Sequence, residues 1–338
     1  MAVTFSAQAE PSATLCAEVS ALAPANPFYT AAYLESRRAL GQQPWMLCLS
    51  ERARIRIACS AFMWAGRLHR TLEIPSLPPV DGGEGFWSEL MEFCRRSRVS
   101  RLTVNSFGSS AVAIPPLPTK LSHRPRYEYV LDLVAGDPGG GLAKNHRRNI
   151  NRARRAGLRT ERVANPAACA EHARLIGASM RRRQERGEIV PVDPDWRPWL
   201  AMSRAGAGEL FQAVLDRRVL SSVFVLRART GAYYQSAGTS PEGMAAGASH
   251  FLVYEVARVL RAESLTVFNI GGADSSNPGL QRFKRGFGAA TVPLEAAEFW
   301  LGSAARARLM SAVRALGRAA RLSLRPRGRG SARRRGGR

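Results

Sequence analysis

The residues with the clearest chemical content lie near the end of the chain, between Leu265 and Ala290. An apolar, strand-like run, Leu265-Thr266-Val267-Phe268-Asn269-Ile270, stops at Gly271-Gly272. A polar loop closed by Asn277-Pro278-Gly279 follows, and Leu280-Gln281-Arg282-Phe283-Lys284-Arg285 opens a short helix that ends near Gly286 and Gly288. A buried strand leading through a glycine turn into a cation-bearing helix is one way to build a site for an anion or an acyl group. Spacing alone gives equal weight to a plain strand–loop–helix connection with a solvated lysine, because a Gly-Gly turn is a weak signal. Lys284 stands out by type: of 50 cationic residues only Lys120, Lys144 and Lys284 are lysine. Arginine serves ordinary surface charge as well, so a retained lysine draws notice.

A second basic stretch, Leu142 to Ala156, reads as a helix ended by Gly157, where a left-handed residue is wanted. Its cations, Lys144, Arg147, Arg148, Arg152, Arg154 and Arg155 beside His146, go nearly all the way round. Contact with a phosphate-rich ligand and a solvated connecting helix are equally good readings of it. Upstream of the Lys284 stretch, Pro241 to Ser249 is rich in small residues and opens a helix from His250 to Ala262.

The elements that must position these residues fall into two sets. In the first, Asn26-Pro27 caps a helix through Leu34. Strands follow at Trp45–Leu49, Arg54–Trp64 and Leu68–Ile74, then a helix over Phe86–Arg96 and strands from Leu102 and over Tyr127–Val134. Gly136-Asp137-Pro138-Gly139-Gly140-Gly141 is the best domain boundary. Beyond the basic helix come a strand at Leu158–Val163, a helix capped by Asn165-Pro166 and another from Asp193 to about Met202. A three-stranded meander follows at Glu209–Leu215, Leu220–Arg229 and Ala232–Ser240, leading to the helix from His250. The expected units are a poorly ordered Ala/Ser/Pro-rich segment 1–25, a domain over 26–135, a domain over 142–303, and a basic tail over 304–338.

Composition bounds the rest. The length of 338 residues suits two domains, and 45% hydrophobic residues suit a soluble core. The formal charge is +24, and after Glu298 the chain carries twelve arginines and no acid. The segment 304–324 places Leu309, Val313, Leu316, Ala320 and Leu324 near helical spacing among arginines. That pattern suits an anionic membrane surface or RNA, or a merely solvated tail. Five cysteines form no CxxC pair and five histidines no HExxH, so reduced structural thiols, a cytoplasmic protein and no metal are expected. The first residues lack the pattern of a signal peptide, and no apolar run reaches membrane-spanning length. No nucleophile elbow supports a serine or cysteine hydrolase.

Three ordered segments carry a family resemblance. Gly279-Leu280-Gln281-Arg282-Phe283-Lys284-Arg285-Gly286-Phe287-Gly288 after a strand ending in Gly-Gly resembles the C-terminal signature of the FemAB and CelD-like (Acetyltransf_6-type) branch of the GNAT acyltransferase superfamily. Leu142 to Ile150 followed by Gly157-Leu158, and Gly247-Ala248-Ser249 opening a helix, match in the same order. The resemblance covers about residues 142 to 290. It implies a mixed α/β (α+β) fold of tandem GNAT-like units, the N-terminal one a degenerate copy without a phosphate loop.

The resemblance also implies roles. Phe283 and Lys284 would face the acyl ester, Lys284 stabilising the oxyanion of the tetrahedral intermediate. Asp274, Glu255 and His250 are candidates for proton transfer, each singly more in keeping with a structural role. Gly243, Gly247, Ala248, Ser249 and His250, with Arg285, would hold donor phosphates through backbone N–H groups and a helix N-terminus. Asn269, Gly271, Gly272, Tyr234 and Gln235 would line the acceptor side. The Gly243–Ser249 loop lacks the cation and Gly-x-Gly/Ala pattern of the usual acetyl-CoA loop. The implied activity is N-acyl transfer to an amine or hydroxyl of a cell-envelope, polysaccharide or small-molecule acceptor. Acyl-CoA is the implied co-substrate, aminoacyl-tRNA the alternative, and no cofactor is held permanently. A non-catalytic GNAT scaffold that binds RNA or the inner face of a membrane is the competing class.

Overall fold

Trp45–Leu49 and Arg54–Trp64 form the centre of the first half, as β2 (Gln43–Glu51) and β3 (Arg54–Ala65), a hairpin whose inward residues are buried. The computed structural model describes residues 3–66, 69–78, 84–109, 114–115, 120–187, 194–273 and 277–303. Asp274 and the tail 304–338 lie outside the described residues.

The first half runs β1 (Val3–Ala9), α1 (Ala13–Leu22), α2 (Ala31–Arg38), β2, β3, β4 (Arg70–Ile74), α3 (Glu84–Arg96), β5 (Arg101–Asn105) and β6 (Lys120–Asp132). The second runs α4 (Lys144–Arg155), β7 (Arg159–Val163), α5 (Pro166–Glu185), α6 (Arg197–Arg204), β8 (Gly208–Leu215), β9 (Arg218–Arg227), β10 (Gly231–Thr239), α7 (Pro241–Ala246), α8 (Ala248–Ala262), β11 (Val267–Ala273), α9 (Pro278–Arg285) and β12 (Ala290–Trp300).

The opening segment is a correction. Residues 3–22, expected to be poorly ordered, form β1, paired with β2 from Val3↔Glu51 to Ala9↔Trp45, and α1, capped by the Ser12 side chain at 3.2 Å from the amide of Leu15. Composition hid two local signals: a Val3-Phe5-Ala7 face, whose Phe5 packs on Phe86 and Phe93, and a helix cap at Ser12. Cys16 and Val19 are buried beneath it.

Among the described residues the strands form one mixed sheet in the order β1-β2-β3-β4-β5-β12-β6-β11-β10-β9-β8-β7. The order reads as two copies of one pattern back to back. In each copy a parallel pair is bridged by helix: β4 and β5 by α3, β10 and β11 by α7 and α8. Each half lends its last strand to the other: β6 pairs with β11, and β12 pairs with β5 and β6. The glycine-rich segment at 136–141 therefore joins two halves that share one sheet. This is the expected tandem arrangement, with a strand exchange that β12, unassigned in the sequence, makes possible. The core also crosses the seam, since one buried cluster joins Phe28, Phe62 and Leu102 to Trp199, Leu210 and Tyr233.

The copies differ at the parallel pair. β10 and β11 pair only at Gly231↔Val267, Ala232↔Phe268 and Tyr233↔Asn269, after which each strand is bulged against its other neighbour and the two part. β4 and β5 stay joined, from Thr71↔Arg101 to Ile74↔Val104 and onward through Leu77 N–H to Asn105 O (2.8 Å) and Phe107 N–H to Pro75 O (3.1 Å). A gap opens in the second copy where the first is stitched shut. No helix among the described residues is long and apolar enough to cross a membrane.

Candidate functional site

Lys284 reaches that gap from α9. The helix is started by Asn277, whose side chain accepts from the amide of Leu280 at 3.0 Å, with Pro278 in the first turn. Eight residues then put Leu280, Phe283 and Lys284 inward and Arg282 and Arg285 in solvent. Lys284 is 4% exposed, and its ammonium donates to Ile270 O at 2.6 Å and Gly272 O at 2.8 Å. Its remaining proton lies among the rings of Tyr234 and Tyr129, 5.4 and 6.0 Å from their centroids. Burial lowers the Lys284 pKa to about 7, with Glu128 opposing the fall and Arg126 adding to it.

The bulge in β11 aims those carbonyls. Gly271 has φ +74°, and a Cβ there would come within 3.0 Å of Tyr234 O and 3.3 Å of Lys284 Nζ. Glycine is required twice, for the left-handed backbone and for the close approach. The Asn269 side chain fixes the bulge by accepting from the amide of Gly271 at 2.8 Å.

Behind the gap sits a residue that the sequence analysis missed. Glu128 on β6 is fully buried; one oxygen accepts from Gly108 N–H (2.9 Å) and Asn269 Nδ2 (2.7 Å), the other from Tyr233 OH (2.7 Å). Burial pushes its pKa up, and the donors pull against that. The only signal was an acid interrupting the strand-like Tyr127-Glu128-Tyr129-Val130-Leu131.

On the other side α4 packs against α8 and α9. Its His146, Asn149, Ile150 and Ala153 are buried at helical spacing, so its cations do not surround it as expected. His146 Nε2 donates to Phe283 O at 2.7 Å, which fixes the tautomer. The His146 ring meets His250, Phe283 and Phe287 at centroid distances of 4.6, 5.7 and 4.6 Å. Gly286 leaves room for it, since a Cβ there would fall 2.1 Å from the imidazole. Burial first, then His146 and Arg152, lower the His250 pKa to about 4, so both rings are uncharged at neutral pH.

The fold thus gathers Lys284, Asn269, Gly271, Gly272 and Tyr234 at one gap, whereas the Phe283 ring packs with His146, His250 and Phe287. Gln235 is turned outward by the β10 bulge, and Arg285 is exposed on α9. Glu255 is engaged elsewhere, accepting from Arg154 (2.7 Å) and Arg258 (2.9 Å). Gly243 and Gly247 have packing reasons: a Cβ would lie 2.3 Å from Leu220 O at the first and 2.7 Å from Asn149 O at the second. Gly247 and Ala248 are buried, Ser249 and His250 half-buried, so α4 covers part of the start of α8. A groove of about 750 Å³ lies between α2 and α6, lined by Leu40, Trp196 and Leu200 among others, and shares no residue with the Lys284 site.

Residues 141–285 match the family model described as an acetyltransferase (GNAT) domain. No match was found among curated proteins. Solved structures of similar fold include FemX, 12% identical, with TM-score 0.64 over 89% of this chain and 98% of that one. A conserved protein of unknown function from Bacteroides thetaiotaomicron, 14% identical, aligns with TM-score 0.56 over 89% of this chain and 100% of that one. A tandem GNAT protein from the clavulanic acid biosynthesis pathway, 15% identical, aligns with TM-score 0.51 over 88% and 98%. At these identities the likeness is one of fold. The matched segment holds α4 through α9, and with it Lys284 and the gap, while β6 with Glu128 and Tyr129 lies outside it. The segment 141–285, which lies in the second of the two copies that share the sheet, thus matches an acetyltransferase (GNAT) domain.

Proposed function

We propose that the chain transfers an acyl group from acyl-CoA to an amine or hydroxyl of a cell-envelope, polysaccharide or small-molecule acceptor. The reaction takes place where β10 and β11 part. The observation that carries this reading is the Lys284 ammonium, held by Ile270 O and Gly272 O in a gap that the first copy lacks.

The acceptor attacks the acyl carbonyl, whose oxygen takes negative charge in the tetrahedral intermediate. The third ammonium proton of Lys284 and the main chain of β10 beyond Tyr233, which has no ladder partner on that side, supply donors to it. The bond from nitrogen or oxygen to the acyl carbon forms, the bond from that carbon to sulfur breaks, and the acceptor's proton leaves with the thiol. An amine entering uncharged needs no strong protein base. Phe283 packs beside the histidine pair and fixes the wall from which Lys284 enters.

A second reading takes aminoacyl-tRNA as donor. It is favoured by α4, which covers Gly247 with Asn149 O and turns Lys144, Arg147, Arg148, Arg152 and Arg155 to solvent. A thermal-shift series on the full chain separates the two. Stabilisation by an acyl-CoA at moderate salt supports the first; stabilisation by charged tRNA alone supports the second. A response to neither overturns both.

A further inference from the structure

We infer that Glu128 is a positioning residue for Lys284: a carboxylate from the first half, outside the matched domain, that keeps the ammonium charged and aimed into the gap. Its part in turnover rests on the acyl-transfer reading above; its effect on Lys284 does not.

The link is continuous through one short piece of β11. Glu128 stands opposite Gly272 in the register of β6 and β11, and Gly272 O is one of the two acceptors of Lys284. Glu128 also holds Asn269 Nδ2 at 2.7 Å, and the other end of that amide holds the Gly271 N–H at 2.8 Å. The carboxylate therefore orients the side chain that sets the bulge, and the bulge points Ile270 O and Gly272 O at the ammonium.

The charge state follows from the partners. Glu128 receives two N–H donors on one oxygen and a hydroxyl on the other, the pattern of an ionised carboxylate rather than an acid that must donate. A buried anion held by neutral donors is costly without a counter-charge. The cations beside it are Lys284 and Arg126, and Arg126 lies over the Phe107 ring at 4.1 Å near Asn105. Among the described residues the other titratable groups facing Lys284 are Tyr129 from β6 and Tyr234 from β10, while His146 reaches it through Phe283 O. Among the described residues Glu128 is the carboxylate beside the lysine, and it opposes the desolvation of the ammonium.

The scarcity of lysine makes this directly measurable. Full chain labelled with ¹³C at lysine Cε carries three labelled positions, Lys120, Lys144 and Lys284, and Lys284→Met identifies the third. Titrate wild type, Glu128→Gln, Glu128→Asp and Arg126→Gln. Wild-type Lys284 titrates near 7. Glu128→Gln lowers that midpoint by about one pH unit or more, the scale of losing a nearby opposite charge. Arg126→Gln raises it. Loosened packing would admit water and move Lys284 upward toward an ordinary lysine, so the sign separates lost counter-charge from damage. An unchanged or raised midpoint in Glu128→Gln overturns the proposal. Should that variant fail to fold, Glu128→Asp keeps the charge one methylene further away; a smaller fall supports the link, and none overturns it. In turnover, Glu128→Gln shifts the alkaline limb of kcat downward with the Lys284 midpoint. A shifted midpoint in a protein that turns over no acyl donor would remove the acyl-transfer reading and leave the Glu128 link standing.

Discussion

His146 donates from Nε2 to the carbonyl of Phe283 at 2.7 Å, so the basic helix α4 holds the residue that precedes Lys284. The contact depends on Gly286, where any side chain would enter the imidazole. Gly286→Ala is expected to destabilise the protein by about 1–3 kcal/mol, the usual cost of overpacking. Because the clash is with one ring, His146→Ala combined with Gly286→Ala should cost less than the two single changes added together. Urea midpoints of the four proteins check this, and simple additivity would refute it.

The buried lysine gives stability a pH dependence of known sign. Its folded pKa, about 7, lies below its unfolded value, so between the two the unfolded chain binds the extra proton. The penalty is full below about pH 7 and is relieved as pH rises toward the ordinary lysine value. Wild type should therefore gain on Lys284→Met between pH 7 and 9, by at most about 1.4 kcal/mol per pH unit. Paired unfolding curves at the two pH values test it; a constant difference contradicts the burial of the charge.

Much of this was legible beforehand. The β8–β9–β10 meander, the helix cap at Asn165-Pro166 and the Lys284 stretch are local signals of periodicity and turn chemistry, readable in order, although Asn277-Pro278, read as the close of a loop, caps α9. What escaped was non-local. Glu128 matters because a strand of one half pairs with a strand of the other, and no local pattern announces that pairing. Gly243 and Gly247 look like phosphate-loop glycines in sequence, but each meets a carbonyl brought from another element. The opening segment failed for the opposite reason, because bulk composition outweighed a real alternation at Val3, Phe5 and Ala7.

The strand exchange predicts that the matched domain cannot stand alone. A fragment beginning at residue 136 lacks β6, which leaves the facing edges of β11 and β12 unpaired. It should be expressed in aggregated form or without a cooperative thermal transition, and co-expression of residues 1–135 should restore both. A fragment that melts cooperatively by itself would refute the exchange.

If Lys284 acts as a cation, kcat falls as pH rises through about 7, after correction for ionisation of the acceptor. A limb that instead rises through that pH would assign Lys284 as the proton acceptor.

The most direct test is the turnover of Lys284→Met and Lys284→Arg with the acyl donor that stabilises the wild type, measured beside the donor Kd. Loss of one oxyanion donor should cut kcat by roughly 10²–10³-fold in Lys284→Met, with a much smaller change in Kd. Lys284→Arg should also be impaired, because a planar guanidinium does not fit between Ile270 O and Gly272 O as an ammonium does. Wild-type turnover in a folded Lys284→Met would contradict the site.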